Sequence, residues 1–232
     1  YGGTDMRAMI AFQKRESVRF LSHLDLMRAM QRALRRAKLP VRYSQGFHPH
    51  QILSFAMALP VGAASLAEYM DVSMEEAVPA EEIVSRLDAA MPAGWKITGA
   101  WELEDTDPSL MSLVDASGWR IALPLDMEET REAVKGLLAA DSCPVVHNTP
   151  RGERVKDIRP GILELEAEPA GEFSAVTALL AAGSRANISP YLLARALAGE
   201  EGQERAGILR TELYHRTKGG RLVPFRALAE PF

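Results

Sequence analysis

Residues 22–38, SHLDLMRAMQRALRRAK, carry the hydrophobic spacing of a helix with one apolar and one charged face. Ser22 offers a hydroxyl for the N-cap, and Asp25 places a carboxylate three residues later, as in a capping box. Apolar residues then recur at helical intervals until Pro40 stops the helix; they are Met27, Met30, Leu34 and Ala37. The stretch therefore predicts an amphipathic helix that begins at residue 22.

Extended segments flank this helix on both sides. Alternating apolar residues predict strands at 8–12, at 41–43 with 52–57, at 70–74 and at 95–103, with a second helix following Pro79. The order β-α-β-β-α-β is the split βαβ pattern of a ferredoxin-like sandwich. We therefore predict such a domain over residues 6–104, with both helices on one face of an antiparallel sheet. Residues 1–5 are expected to be a linker remnant.

The second half of the chain shows a similar plan after an expected linker at 105–118. Strands are predicted at 119–125, 144–147, 173–182 and 208–215, with helices at 128–140 and 190–198. Segment 158–168 is interpreted as an inserted helix, and segment 173–182 is apolar enough to be helical as well. The fold class predicted is α+β, with two tandem ferredoxin-like sandwiches, the second over 119–216, followed by a frayed C-terminal tail at 217–232.

Composition is that of a globular protein: 232 residues, 47% hydrophobic and 25% charged. No apolar stretch reaches the roughly 20 residues that a membrane-spanning helix needs, so we expect no membrane contact. The single cysteine, Cys143, cannot form an internal disulfide, which favours a cytoplasmic location. One thiolate also cannot hold an iron–sulfur cluster.

Positive charge is concentrated near the N-terminus. Residues 6–59 contain ten basic and two acidic side chains, although the whole chain has a net charge of −4. Such a field attracts an anionic partner to one face, and the alternative is a solvated, arginine-rich helix surface. The expected phosphate contacts are Arg19, Arg28, Arg32, Arg35, Arg36, Lys38 and Arg42. Tyr43 and Phe47 are expected to stack on unpaired bases, unless Phe47 is buried in a tight turn.

Two further groups of residues are candidates for function. Arg154, Lys156 and Arg159 form a second basic patch, with Arg151 beside it, and pairing with nearby glutamates is the alternative. His23, His48 and His50 are candidates for acid and base catalysis, as in a metal-independent ribonuclease. Capping and loop roles explain them equally well, and we expect no metal site.

Three motifs carry a resemblance to a known family: RFLSHLD at 19–25, YSQGFHPH at 43–50 and LPVG at 59–62. The sequence resembles the bacterial radical-SAM-linked proteins, a domain of unknown function fused to, or encoded beside, a cobalamin-binding-type radical SAM protein. The match is most specific over 7–71, and KDIRP at 156–160 is similar to the family's second motif. The resemblance implies a partner that carries the iron–sulfur cluster and S-adenosylmethionine, with no cofactor in this chain.

These observations predict an accessory module without catalytic activity of its own. It would bind RNA, or present a substrate, to a radical SAM enzyme that modifies tRNA or rRNA. Two alternatives stay open: a metal-independent RNA-processing endoribonuclease that uses the three histidines, and a protein-interaction domain that regulates the radical SAM partner. The predicted partners are a radical SAM protein, fused or separate, and structured RNA.

Overall fold

The computed structural model describes residues 6–104, 106–149 and 152–229. They form two compact units: a first unit of the described residues up to Val114 and from His215 onward, and a second unit of Asp115–Tyr214. Both units mix helices with antiparallel strands, in agreement with the predicted α+β class, and the described residues include five α-helices. Asp105, where the expected linker begins, lies outside the described residues.

The first unit is built on an antiparallel sheet with the strand order β4-β1-β3, and β2 pairs with β3. Ile10 lies opposite Met70 on one side of β1 and opposite Ala100 on the other. Its elements in chain order are β1 (Met6–Lys14), α1 (His23–Arg36), β2 (Leu53–Phe55), β3 (Ala63–Met74), α2 (Ala80–Ala90), β4 (Trp95–Leu103) and the short α3 (Leu110–Leu113).

Helix α1 has the cap and the apolar face that its sequence predicts. The Asp25 N–H donates to the Ser22 hydroxyl at 3.2 Å, and the Ser22 N–H donates back to the Asp25 carboxylate at 3.3 Å, which completes the capping box. Met30 and Leu34 are fully buried in the core that also contains Phe12 of β1. Burial of each such side chain contributes about 1.5–3 kcal/mol, so this face fixes the rotation of the helix.

Two predicted strands of the first unit differ from the structure. Segment 41–43 forms only two isolated bridges, Val41 with Met74 and Tyr43 with Gln51. Pro40, which has no N–H to donate, precedes this segment, and the loop that follows leaves too few residues for a ladder. The strand expected at 70–74 begins instead at Ala63, because its first half pairs with the end of β1.

The second unit has an antiparallel sheet in the order β10-β5-β9-β8 and a separate β6-β7 hairpin. Its elements are β5 (Ala116–Leu123), α4 (Met127–Ala139), β6 (Pro144–Thr149), β7 (Gly152–Asp157), β8 (Ile162–Ala170), β9 (Phe173–Ala181), α5 (Pro190–Arg205) and β10 (Gly207–Arg216). The structure shows 173–181 as a strand rather than a helix. Gly199 interrupts α5 with a left-handed φ of 71°, at the point where a helix end was predicted.

The inserted helix predicted at 158–168 is wrong. After a short 3-10 turn at Arg159–Gly161, the chain enters β8 and pairs with β9. Ile162 and Leu165 are buried, whereas Leu163, Glu164 and Glu166 are exposed. A neighbouring strand satisfies the backbone here, and this pairing overrides the helix propensity of the Glu-rich segment.

The expected linker and tail also differ from the structure. Within 105–118, α3 forms a short helix, and β5 already begins at Ala116. In the tail, β11 (Leu222–Pro224) is followed by a 3-10 segment, Phe225–Ala229. Phe225 is fully buried, its ring 5.3 Å from that of Tyr69, so residues 222–229 are anchored rather than frayed. The last tail residues, 230–232, lie outside the described part of the chain. In that described part, no helix is both long enough and apolar enough to cross a membrane.

Replacing Ser22 by Ala should lower the free energy of unfolding by about 1 kcal/mol, because the Asp25 N–H loses its capping acceptor. Urea unfolding followed by far-UV circular dichroism measures the change. Ser85→Ala, at an exposed position of α2, is the matched control and should leave the unfolding free energy nearly unchanged. Equal effects of the two substitutions would contradict the role of the cap.

Candidate nucleic-acid interface

The outer face of α1 carries three exposed arginines, Arg28, Arg32 and Arg35. None of them forms an ion pair with any described carboxylate. The opposite face of the helix is buried, so these guanidinium groups cannot turn inward. We call these three residues the arginine row. Unpaired surface cations at helical spacing are suited to phosphate groups, each contact releasing a counterion.

The basic residues at the C-terminal end of α1, Arg36 and Lys38, have different contacts from the arginine row. The Arg36 guanidinium donates to the carbonyl of Ala90 at the end of α2, at 2.6 Å. Lys38 is exposed and has a left-handed φ of 53°, and Arg86 of α2 donates to the Lys38 carbonyl. Arg36 therefore connects α1 to α2 by a hydrogen bond, whereas the Lys38 side chain extends the basic surface.

Asp25 is the only acidic residue of α1. The pKa of its carboxyl is lowered, chiefly because the Ser22 hydroxyl donates to it at 2.7 Å and secondly because the Ser22 N–H does so. The positive charges of Arg28 and Arg32 lower the pKa further. The carboxylate is thus held ionised by the helix cap and does not form an ion pair with the arginine row.

A buried lysine fixes the loop that precedes α1. Lys14, at the end of β1, is 2% exposed, and its ammonium donates to the carbonyls of Arg19 at 2.8 Å and Leu21 at 3.1 Å. The Gly62 N–H also donates to the Arg19 carbonyl, at 2.9 Å. The motifs at 19–25 and 59–62 therefore meet at the Arg19 backbone. Lys14 is one of the ten basic residues at 6–59, and the sequence does not predict this buried role; its position at the end of a mainly apolar strand is the available signal.

The Arg19 side chain is only half-buried but already has partners. It forms an ion pair with Glu16, and its guanidinium lies 4.6 Å above the centre of the Phe20 ring. Arg42 is half-buried as well. These two predicted phosphate contacts are less accessible than the arginine row.

Apolar side chains are exposed beside this loop. Phe20 is 69% exposed, Leu24 55% and Val61 54%. Leu24 precedes Arg28 by four residues, so the two lie on the same face of α1. The sequence pattern does not mark these three residues as functional, although each lies in one of the three motifs.

The loop at 44–50 presents an aromatic ring to solvent. Its two ends are joined by the Ser44 N–H, which donates to the His50 carbonyl at 2.8 Å, and by the His50 N–H, which donates to the Ser44 hydroxyl at 3.1 Å. Gly46 has a φ of 125°, a conformation that favours glycine. Phe47 at the tip is completely exposed, and Tyr43 is 38% exposed. A buried Phe47, the alternative in the sequence analysis, is therefore wrong.

The three histidines have different surroundings. His23 makes an edge contact with the ring of Phe55, at 5.3 Å between centroids. His50 Nδ1 lies 2.8 Å from the Ser44 hydroxyl, and His48 is exposed on the same loop. Among residues 6–104, 106–149 and 152–229, no group of three or more His, Cys, Asp or Glu side chains is placed to hold a metal ion.

The second basic patch belongs to the second unit. Lys156 donates to the carbonyl of Asn187 at 2.5 Å, and Arg159 donates to the carbonyl of Leu138 at 3.2 Å. Arg154 is exposed on β7. Lys156 and Arg159 thus hold backbone segments together, and Arg151 lies outside the described residues. Among the described residues of the patch, Arg154 is the accessible cation.

The first unit thus defines an α+β protein with an accessible basic helix and an exposed aromatic loop. The chain belongs to a family of uncharacterized proteins conserved in bacteria, DUF2344, whose model matches residues 7–190. No curated protein matches the chain. Among solved structures, the chain is similar to an unknown protein from Galdieria sulphuraria, with 15% identity over 88% of this chain and 96% of that chain. The TM-score is 0.27, too low to support an argument about the fold.

The pKa of Asp25 should rise towards its ordinary value in Ser22→Ala, because the hydroxyl is the strongest cause of the lowering. In the native protein the folded pKa lies below the unfolded one, so Asp25 adds stability above the unfolded pKa and loses it as pH falls through the folded pKa. Carboxyl NMR titration measures the pKa in both proteins. Ser85→Ala should leave the pKa of Asp25 unchanged. An unchanged pKa of Asp25 in Ser22→Ala would contradict the assignment of its lowering to the Ser22 hydroxyl.

Proposed function

We propose that the protein is an RNA-binding or substrate-presenting accessory module that acts with a radical SAM enzyme in the modification of tRNA or rRNA. The observation that carries the proposal is the arginine row on α1, three exposed guanidinium groups without an acidic partner in the described residues. Phosphate contacts of this kind position a nucleic acid without reading its sequence. Lys38 extends the same basic surface.

Exposed rings supply the second part of the proposal. Phe47 at the tip of its loop, and Tyr43 at the base, offer faces on which unpaired bases can stack. A fully exposed phenylalanine is unfavourable in water, and stacking would remove its surface from solvent. The combination of cations and exposed rings favours a single-stranded or loop region of RNA over a regular duplex.

The family resemblance of the motifs at 19–25, 43–50 and 59–62 supports a radical SAM partner. Cys143 is the only cysteine, so an iron–sulfur cluster and S-adenosylmethionine would have to be supplied by the partner. We also propose that each unit is a ferredoxin-like sandwich. The strand orders β4-β1-β3 with β2, and β10-β5-β9-β8, support this assignment.

A second function, docking to a protein, is favoured by a separate observation. Phe20, Leu24 and Val61 are exposed apolar side chains in the three motifs, and Leu24 lies on the same face of α1 as Arg28. Exposed apolar groups surrounded by charge are typical of protein interfaces. In this alternative the basic face would contact an acidic surface of the radical SAM enzyme and regulate it.

Arg32→Ala should weaken binding to unrelated RNAs about equally and should reduce the slope of log affinity against log salt by about one, because one phosphate contact is lost. Fluorescence anisotropy with labelled tRNA and with an unstructured RNA, across a salt series, measures both effects. Arg131→Ala, at an exposed arginine of α4, is the matched control and should change neither. Absence of RNA binding at low salt would overturn the RNA proposal, and retained binding to the radical SAM enzyme would then support protein docking.

The same samples test the endoribonuclease alternative. Metal-free cleavage of the labelled RNA, with a bell-shaped dependence on pH that His23→Ala or His48→Ala removes, would establish a catalytic protein. Intact RNA across the pH range is the result expected of an accessory module. A thermal melt of each variant separates loss of chemistry from loss of folding.

Phe47→Ala should weaken binding to single-stranded RNA by about 1–3 kcal/mol, because one stacked base loses its platform. The effect on a perfect RNA duplex should be much smaller, since its bases are not free to stack on protein. Phe173→Ala removes a phenylalanine that is 52% exposed in the second unit and serves as the control. An equal loss of binding affinity for the duplex and for the single strand would contradict the stacking role of Phe47.

A further inference from the structure

The first unit contains a cavity of about 1020 Å³ that shares no residue with the arginine row or with the loop at 44–50. It is lined by the end of β4, by α3, by the last two residues of β10, which belong to the first unit, and by the chain that follows them. Its volume lies at the upper end of the range of about 300–1,000 Å³ found for small-molecule sites. The cavity is therefore large enough for a bound organic molecule.

The cavity wall is mainly aliphatic. Leu103, Leu110 and Leu113 contribute on one side, and Val223 and Leu228 on the other. No Phe, Tyr or Trp is among the described residues that line it. The one imidazole among the described lining residues, His215, is only 5% exposed and presents little ring surface to a nucleobase, whereas the aliphatic wall can remove an alkyl chain from water at about 0.8 kcal/mol per methylene group.

Cations are grouped at the same cavity. Arg216, Lys218 and Arg221 line it, all three are exposed, and Asp107 is the one carboxylate among the described residues of the lining. That carboxylate already accepts the Glu104 N–H at 2.8 Å. The excess of positive charge favours an anionic group on the ligand.

Hydrogen bonds fix the segments that form the walls. The Arg7 guanidinium donates to the carbonyls of Glu104 at 2.9 Å and Asp107 at 2.8 Å. On the other side, the Thr217 N–H donates to the Arg221 carbonyl at 2.9 Å, which closes the turn that bears Lys218. The fully buried Phe225 anchors the segment that carries Leu228. The cavity is thus preformed, which lowers the entropic cost of binding.

We propose that this cavity is a binding site for a monomeric amphipathic anion, an aliphatic chain that ends in a carboxylate. The chain lies against the leucine wall, and the carboxylate is held by Lys218 and Arg221. The site is independent of the proposed RNA function, because none of its residues belongs to the interface on α1 or to the loop at 44–50.

Isothermal titration with sodium laurate below its micelle concentration tests the proposal on the full chain. We expect saturable binding of one laurate per protein, with octanoate at least tenfold weaker because four methylene groups are lost. Dodecylamine, with the same chain and the opposite charge, should bind at least fivefold more weakly than laurate. No saturable laurate binding, or equal affinity for dodecylamine, would overturn the proposal.

Variants locate the site. Lys218→Gln together with Arg221→Gln should weaken laurate binding about fivefold, and Ala227→Trp, which fills the cavity, should abolish it. Lys135→Gln with Arg131→Gln removes two exposed cations from α4 and should leave the affinity unchanged. Circular dichroism and thermal melts verify the fold of each variant. Undiminished laurate binding in both folded cavity variants would place the ligand elsewhere and refute the proposal.

Two further measurements distinguish laurate binding in the cavity from binding to a membrane surface and from binding to RNA. Binding to phosphatidylglycerol vesicles without binding to monomeric laurate would identify a membrane surface contact and overturn the cavity assignment. The variant with Lys218→Gln and Arg221→Gln should bind RNA with unchanged affinity and salt slope. Failure of RNA binding in the unmodified protein leaves the laurate result intact, so the two proposals succeed or fail separately.

Discussion

Burial of one face of α1 is the constraint on which the candidate interface depends. Met30, Ala33 and Leu34 have no exposed surface, and they pack in one core with Phe12 of β1 and Met70 of β3. A helix has a single rotation that buries these side chains, and at that rotation the arginine row projects into solvent. The core therefore determines where the positive charge of the N-terminal region is displayed.

The segments before and after α1 are held by a small set of polar contacts. The buried Lys14 ammonium binds two carbonyls of the 19–21 loop, and the Gly62 N–H binds one of the same carbonyls. A buried ammonium is costly without acceptors, so this loop is bound to a defined position at the end of β1. The family motifs at 19–25 and 59–62 thus serve first as structure. Phe20, Leu24 and Val61 are among the side chains that these motifs leave exposed.

The sequence predicted the first unit well because its signals are local and strong. The Ser22 and Asp25 cap and the apolar spacing of α1 appear in the structure, and β4 has the predicted bounds. Prediction was weaker where pairing with a distant strand decides the conformation. The segment that begins at Ile162 became β8 because β9 supplies its backbone partners, and β3 gained its first half by pairing with β1. Neither partner can be recognised from the composition of the segment itself.

The candidate sites also differ in whether local sequence or distant contacts determine them. The spacing of Arg28, Arg32 and Arg35 was sufficient to place them on one outer face, because helix geometry is set by neighbouring residues. The second basic patch had no such local rule. Tertiary contacts decided that Lys156 and Arg159 bind the carbonyls of Asn187 and Leu138, while Arg154 stays exposed. The cavity beside α3 could not be predicted from the sequence either, because its walls come from two distant segments, 103–113 and 215–228. The amino-acid pattern alone determined the amphipathic helix and its charge, whereas only the folded chain decided which charges remain accessible, because accessibility depends on contacts between residues distant in sequence.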